Sequence, residues 1–176
     1  MGKLVEVVHV SLGGEVSSTE WAMPFLDDEF GAYASATLDA ADALFLGRKT
    51  YEGLAPAYQA MDSTPFVDRM NAIPKYVATT TLTALEWNAV AVPDDVAGAV
   101  SKLKTDLPGT LLRYGNGPLD ALLMDERLID EFHMLLTPVA TGGGTHMFEY
   151  VGDAPQLQLL EVHEFRSGVL RLVYVP

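Results

Sequence analysis

The chain has 176 residues, 49% of them hydrophobic, which is enough to bury one substantial core, and its 24 acidic and 11 basic side chains leave a formal charge of −13. A field of that sign opposes broad phosphate contacts, so no nucleic-acid partner is expected and any anionic ligand must be held locally. No apolar run nears the roughly 18 residues of a membrane span, no signal-peptide pattern is visible, and cysteine is absent; a cytoplasmic single domain over 1–176 is expected, without membrane partner, disulfide or thiolate metal site.

Leu4–Ser11 is a valine-rich run stopped by Gly13-Gly14 and reads as a buried strand. Asp27–Ala41 turns helical, with Asp27, Asp28 and Glu29 in the first turn, where they suit the helix dipole. Ala43–Leu46 is a short strand ended by Gly47, and Lys49–Ala55 is expected to be helical as far as Pro56. Ser63-Thr64-Pro65 starts a further helix that Pro74 closes. Tyr76–Ala78 and Ala89–Val92 read as strands, and Asp94 or Asp95 caps a helix whose Val96, Val100, Leu103 and Leu107 keep the 3.6-residue repeat. Thr110–Tyr114 is a strand, Gly115–Gly117 a turn, and Pro118–Met124 a helix. Glu131–Val139 leads into Gly142-Gly143-Gly144, and Leu157–Phe165 and Val169–Val175 flank a turn short enough for an antiparallel hairpin. Strands alternating with helices and then a hairpin predict an α/β protein, with a mainly parallel sheet covered on both faces and antiparallel strands at one edge.

Three strand ends carry residues suited to an anion. Gly47-Arg48-Lys49-Thr50 sits where a strand meets a helix start, where free N–H groups attract phosphate. Tyr114-Gly115-Asn116-Gly117-Pro118-Leu119 repeats the theme, although Asp120 stands where the dinucleotide fingerprint of the doubly wound fold needs a glycine. Thr79-Thr80-Thr81 adds hydroxyls at the same expected edge. Each element alone also reads as an ordinary glycine turn or strand-end threonine. The four histidines, at 9, 133, 146 and 163, show no metal-ligand spacing, so no metal site is predicted.

In this order the elements resemble a known family. Leu46-Gly47-Arg48-Lys49-Thr50-Tyr51-Glu52 is similar to the dihydrofolate reductase motif in which glycine, arginine and threonine bind cofactor phosphates. Val8–Gly14, Asp42–Arg48, Asp130-Glu131-Phe132, Pro138-Val139, Gly142-Gly143-Gly144 and Phe165–Val169 resemble the reductase domain of riboflavin biosynthesis and its stand-alone relatives. The resemblance implies a three-layer α/β/α dihydrofolate reductase-like fold and an NADPH-dependent reduction of a small pterin- or pyrimidine-like heterocycle by a homodimer. NADH stays open as a cofactor, and so does a nucleotide- or flavin-binding module without turnover. It further implies that Gly47, Arg48 and Thr50 grip phosphate, that Thr79 and Thr80 flank the adenosine ribose, and that Gly115, Asn116, Gly117, Pro118 and Leu119 approach the pyrophosphate. Ser11, Gly14 and Trp21 would then meet the substrate.

The chain also departs from those relatives. Many carry an aspartate where this chain has Gly13 and an arginine near Thr80, and the carboxylate of folate reductases falls near Gly31, which has no side chain. His9 and Asp27 are the remaining candidates for a proton donor, against the plainer readings of a core histidine and a dipole partner. Water or the substrate itself is expected to supply the proton.

Overall fold

The structure is a computed structural model and describes residues 1–92, 94–152 and 155–176. In chain order the elements are β1 (Lys3–Ser11), a 3-10 turn (Glu20–Phe25), α1 (Asp28–Asp39), β2 (Ala41–Gly47), α2 (Arg48–Ala60), α3 (Pro65–Ala72), β3 (Lys75–Ala78), β4 (Ala89–Val92), α4 (Val96–Asp106), β5 (Thr110–Tyr114), α5 (Pro118–Asp125), β6 (Glu131–Thr137), β7 (Gln158–Glu164) and β8 (Leu170–Val175). The eight strands form one mixed sheet, ordered β4-β3-β2-β5-β1-β6-β8-β7, mostly parallel and ending in the antiparallel β7/β8 hairpin. The chain divides into two compact units, residues 1–4 with 35–115 and residues 5–34 with 116–176.

The first unit is built on β2. Ala43, Leu44, Phe45 and Leu46 are all buried, so both faces of the strand are covered, as a strand with parallel neighbours on either side requires. α2 packs on β2 and β3, and α4 on β5. At the opposite end of β3 from its Ala78 terminus, Lys75 is 1% exposed. Its Nζ donates to the carbonyl oxygens of Ile73 at 2.7 Å and Asn71 at 3.3 Å and lies 4.2 Å from the centre of the Trp87 ring. Trp87 stacks on Tyr58 and donates its indole N–H to Asn71 Oδ1 at 2.6 Å. That clamp holds Trp87 and Asn88 at positive φ, 61° and 52°, where the chain turns into β4.

In the second unit β1 pairs in parallel with β6 from Val5↔Glu131 to Ser11↔Thr137, and β8 lies antiparallel between β6 and β7. Phe30 and Tyr33 of α1 pack against Phe165, with ring centres 5.8 and 5.7 Å away. Glu29 accepts from the Arg166 backbone N–H at 2.9 Å and lies 3.2 Å from His163 Nε2, tying α1 to the hairpin. The Arg166 N–H holds the Glu29 carboxyl below its ordinary range. β7 is the sheet's edge strand and leaves Leu159, Leu160 and Val162 exposed.

Some boundaries differ from the sequence reading. α1 stops at Asp39 and β2 begins at Ala41, because the Ala41 and Ala43 positions pair with β5 across a register shift. α2 runs through Pro56 to Ala60: Pro56 is exposed, so the Glu52 carbonyl that loses its partner to the proline can bond to water. Glu20–Phe25 forms the 3-10 turn, and Asp95 rather than Asp94 caps α4 by accepting from the Gly98 N–H at 2.9 Å.

Burial, with Arg69 adding to it, pushes the Lys75 ammonium from its ordinary 10.5 down to about 8. Between those values the unfolded chain carries a proton that the folded chain has released, so folding stability rises with pH across the window. Lys75→Met loses the two carbonyl contacts at every pH and removes this slope. Thermal melts from pH 7 to pH 10 should therefore show the advantage of the parent over Lys75→Met widening as pH rises. A constant gap would mean that Lys75 keeps an ordinary affinity for its proton.

Candidate functional site

The register of the first unit brings three strand ends to one edge. Gly47 of β2 lies beside Ala78 of β3, and Leu46 lies beside Tyr114 of β5, so the chain leaves the sheet at Gly47–Arg48, Thr79–Thr80 and Gly115 within one row. Such an edge, where parallel strands give way to helix starts, is the place where open α/β sheets receive ligands.

The start of α2 differs from its counterparts. Carboxylates stand at the other helix starts: Asp27, Asp28 and Glu29 at α1, Asp68 at α3, Asp95 at α4 and Asp120 at α5. The first turn of α2 has no acidic residue, Gly47 is its N-cap without a side-chain bond, and the first two helical residues are Arg48 and Lys49. The N–H groups of its first turn therefore have neither a capping side chain nor a compensating acid. Arg48 adds positive charge to the positive end of the dipole, an arrangement that an incoming anion would relieve. An added Cβ at Gly47 would meet nothing within 4 Å, so the backbone there is open to close approach.

The remaining predicted residues of this unit have more local duties. Arg48 Nη1 donates to both carboxylate oxygens of Glu52, at 2.9 and 3.1 Å. Thr79 is buried, and its Oγ1 accepts from the Thr81 and Leu82 N–H groups at 3.2 and 3.1 Å, which closes the turn after β3; Thr80 is exposed. Gly115 has φ +90°, and a Cβ there would collide with Thr50 Oγ1. A valine at Gly115 would therefore disturb the fold, because this glycine is required for close packing against Thr50.

In the second unit Asn116–Leu119 lead into α5, where the Gly117 N–H is already bonded to Asp120 Oδ2 at 2.6 Å. Asp27 Oδ1 accepts from the Phe30 N–H at 2.9 Å and so caps α1. His9 lies beside Leu135 in the β1/β6 register, with its ring 5.4 Å from that of Phe30. Its Nδ1 is buried without a hydrogen-bond partner, and burial lowers its pKa from 6.5 to about 4. The imidazole is therefore neutral at physiological pH, and neither Asp27 nor His9 is arranged as an acid.

Sequence reasoning missed Glu15. Ser11 Oγ, 2.6 Å from Thr141 Oγ1, accepts from the Glu15 N–H at 3.0 Å. The Glu15 carboxylate, 4% exposed, accepts from Ser17 Oγ at 2.6 Å, the Ser18 N–H at 2.9 Å and the Trp21 indole N–H. Burial raises its pKa, but the hydrogen bonds it accepts from Ser17, Ser18 and Trp21, the Ser17 backbone included, outweigh that and leave it lowered. Gly14 meets the segment beyond β6 through Met147, whose N–H donates to its carbonyl at 2.9 Å. A Cβ on Gly144, at φ +77°, would strike Ser17 and Glu15. The predicted substrate residues Ser11, Gly14 and Trp21 thus belong to one fastened loop, and a short run of hydroxyls and glycines around one acid was its only trace in the sequence.

Glu15→Ala removes the acceptor for those three donors, which lie on half-buried or exposed residues and turn to water instead, so the loop loses its fastening. Iodide should then quench Trp21 emission more strongly while buried Trp87 stays protected, and Glu15→Gln should fall between. Quenching equal to the parent's would show that Trp21 is held by its packing instead.

The sequence profile of the RibD C-terminal domain family matches residues 3–171, and the chain belongs to that family. Solved structures with the same fold include a putative riboflavin biosynthesis protein from Shewanella sp. PV-4 (TM-score 0.73, 18% identity, 98% of each chain covered). A diaminohydroxyphosphoribosylaminopyrimidine deaminase/5-amino-6-(5-phosphoribosylamino)uracil reductase from Thermotoga maritima matches 99% of this chain and 56% of its own (TM-score 0.71, 14% identity). Dihydrofolate reductase from Schistosoma mansoni covers 99% of both (TM-score 0.65, 15% identity). At these identities the likeness is one of fold, the dihydrofolate reductase-like fold.

Proposed function

We propose that this member of the RibD C-terminal domain family is a reductase that takes NADPH in preference to NADH and reduces a small heterocycle of the pyrimidine or pterin class. The observation that carries the reading is the start of α2, uncapped, free of acid and led by Arg48 and Lys49, in a chain of net charge −13. The names of the fold's neighbours, a uracil reductase and a dihydrofolate reductase, supply the substrate class.

These residues suit a dinucleotide phosphate. Gly47 leaves room for the backbone to approach, the first N–H groups of α2 and the Arg48 guanidinium would hold phosphate charge, and Thr50 and Thr80 would add hydroxyls. Gly115, Asn116, Gly117, Pro118 and Leu119 would line the pyrophosphate, with Thr79 setting the turn beneath Thr80. When bound, the nicotinamide supplies the hydride, and the protein's part is mainly orientation. Ser11, Gly14 and Trp21 would meet the heterocycle on the loop that Glu15 fastens. With Asp27 engaged as a cap and His9 neutral, the proton comes from water or from the substrate.

Cytoplasmic residence and homodimerisation are part of the same reading, the second because edge strand β7 exposes Leu159, Leu160 and Val162. Light scattering at micromolar concentration should give twice the chain mass; a monomer would remove the dimer from the proposal.

NADPH should raise the melting temperature more than NADH does, since a ligand that binds only the native state stabilises it by mass action. Oxidation of NADPH in the presence of a panel of pyrimidines and pterins would establish turnover, whereas binding without oxidation would identify a nucleotide- or flavin-binding module. Loss of a positioned acid costs about 10²–10⁴-fold in rate, so His9→Ala and Asp27→Ala should each lose far less. A loss of that order with the acid limb of the pH–rate profile abolished would make the altered residue the proton donor.

A further inference from the structure

The same helix start that suits an anion also carries an obstacle to it. Arg48 and Glu52 stand one turn apart on α2, each side chain 43% exposed, with Nη1 shared between both carboxylate oxygens. Tyr51, between them in sequence, is turned inward, buried with its hydroxyl against the Glu86 backbone. Resting on the reading above, we propose that Glu52 is a specificity-determining residue: it competes with the ribose phosphate of NADPH for Arg48 and so limits the preference for NADPH over NADH.

The physical case rests on distance and sequence order. Residues four apart are separated by about 6 Å along the helix axis. A carboxylate that gives up Arg48 therefore stays within a Debye length, about 8 Å at physiological ionic strength, of the phosphate that replaces it. The pair itself is weak, since it is exposed and runs with the cation nearer the N-terminus, the less favourable order along the dipole. Phosphate, doubly charged and able to take two parallel guanidinium N–H bonds, displaces it. The displaced charge then opposes the bound one. NADH lacks the ribose phosphate, so its contacts at the backbone N–H groups of α2 are largely indifferent to whether Arg48 is occupied. Glu52 thus acts on the difference between the two nucleotides.

The experiment compares NADPH and NADH dissociation constants, by titration calorimetry at low salt, for the parent, Glu52→Gln, Arg48→Gln and the double variant. Glu52→Gln is expected to bind NADPH about fivefold more tightly with NADH within about twofold, a change of the size that one partly exposed charge produces. Most of that gain should vanish when Arg48 is already glutamine, and it should shrink near 1 M salt, where the Debye length is about 3 Å. Equal shifts for both nucleotides, or none, in a parent that binds NADPH would overturn the role of Glu52 while leaving the cofactor reading intact. Binding of neither nucleotide by any of the four proteins overturns both. Should glutamine disturb the helix, Glu52→Ala makes the same comparison with the strongest helix former.

Discussion

The first unit depends on one constraint: β2 is buried on both faces and bonded on both edges, to β3 and to β5. A strand in that position cannot present side chains to a ligand along its length, so chemistry is confined to its ends. Gly47 is where the backbone leaves that enclosure, and parallel pairing brings Ala78 and Tyr114 to the same row. The hydroxyl and glycine residues that follow those strands gather there because parallel strands end together, whatever their separation in the chain.

The second organising force is how the acids are used. Asp27, Asp95, Asp120, Asp42 and Glu15 each accept backbone N–H groups, at distances of 2.6–2.9 Å. A carboxylate that accepts such bonds is stabilised as the anion and fixes a helix start or loop in return. The excess of acid in this chain is therefore partly structural, spent on donors that would otherwise be unpaired. Against that background a helix beginning with Gly47, Arg48 and Lys49 is an exception, and the carboxylate one turn on, Glu52, reaches a side chain instead of the backbone.

Much of the fold was legible because its signals are local. The valine run of β1, the glycine after β2, Thr64-Pro65 before α3 and the short turn before β8 each name an element from its own residues. The site was legible as turns but not as contacts. Thr79 was visible as a hydroxyl at a strand end, yet its bonds run to Thr81 and Leu82, two and three residues on. Gly115 read as a flexible turn residue, although what demands glycine is Thr50, 65 positions earlier in the chain. Glu15 and the Lys75–Trp87 clamp were invisible for the same reason: their importance lies in partners that no spacing rule connects. Pro56 misled for a different one, since its exposed position lets the Glu52 carbonyl it orphans turn to water and the helix continue.

On the reading proposed above, a dinucleotide bearing several negative charges would bind against the field of a chain of −13. The two effects have different ranges. The net charge acts over a Debye length and slows encounter, whereas the N–H groups of α2 and the Arg48 guanidinium would act at hydrogen-bond distance and govern how long a phosphate stays. Salt screens the first more completely than the second, so affinity in such a protein need not fall with ionic strength as it does for a basic site. It also means that the field cannot help choose between NADPH and NADH in favour of the more highly charged one, because at long range it disfavours that nucleotide more. On that reading, a preference for NADPH would have to be generated within a few ångströms of Arg48, where the carboxylate bonded to the guanidinium is that of Glu52, one turn on.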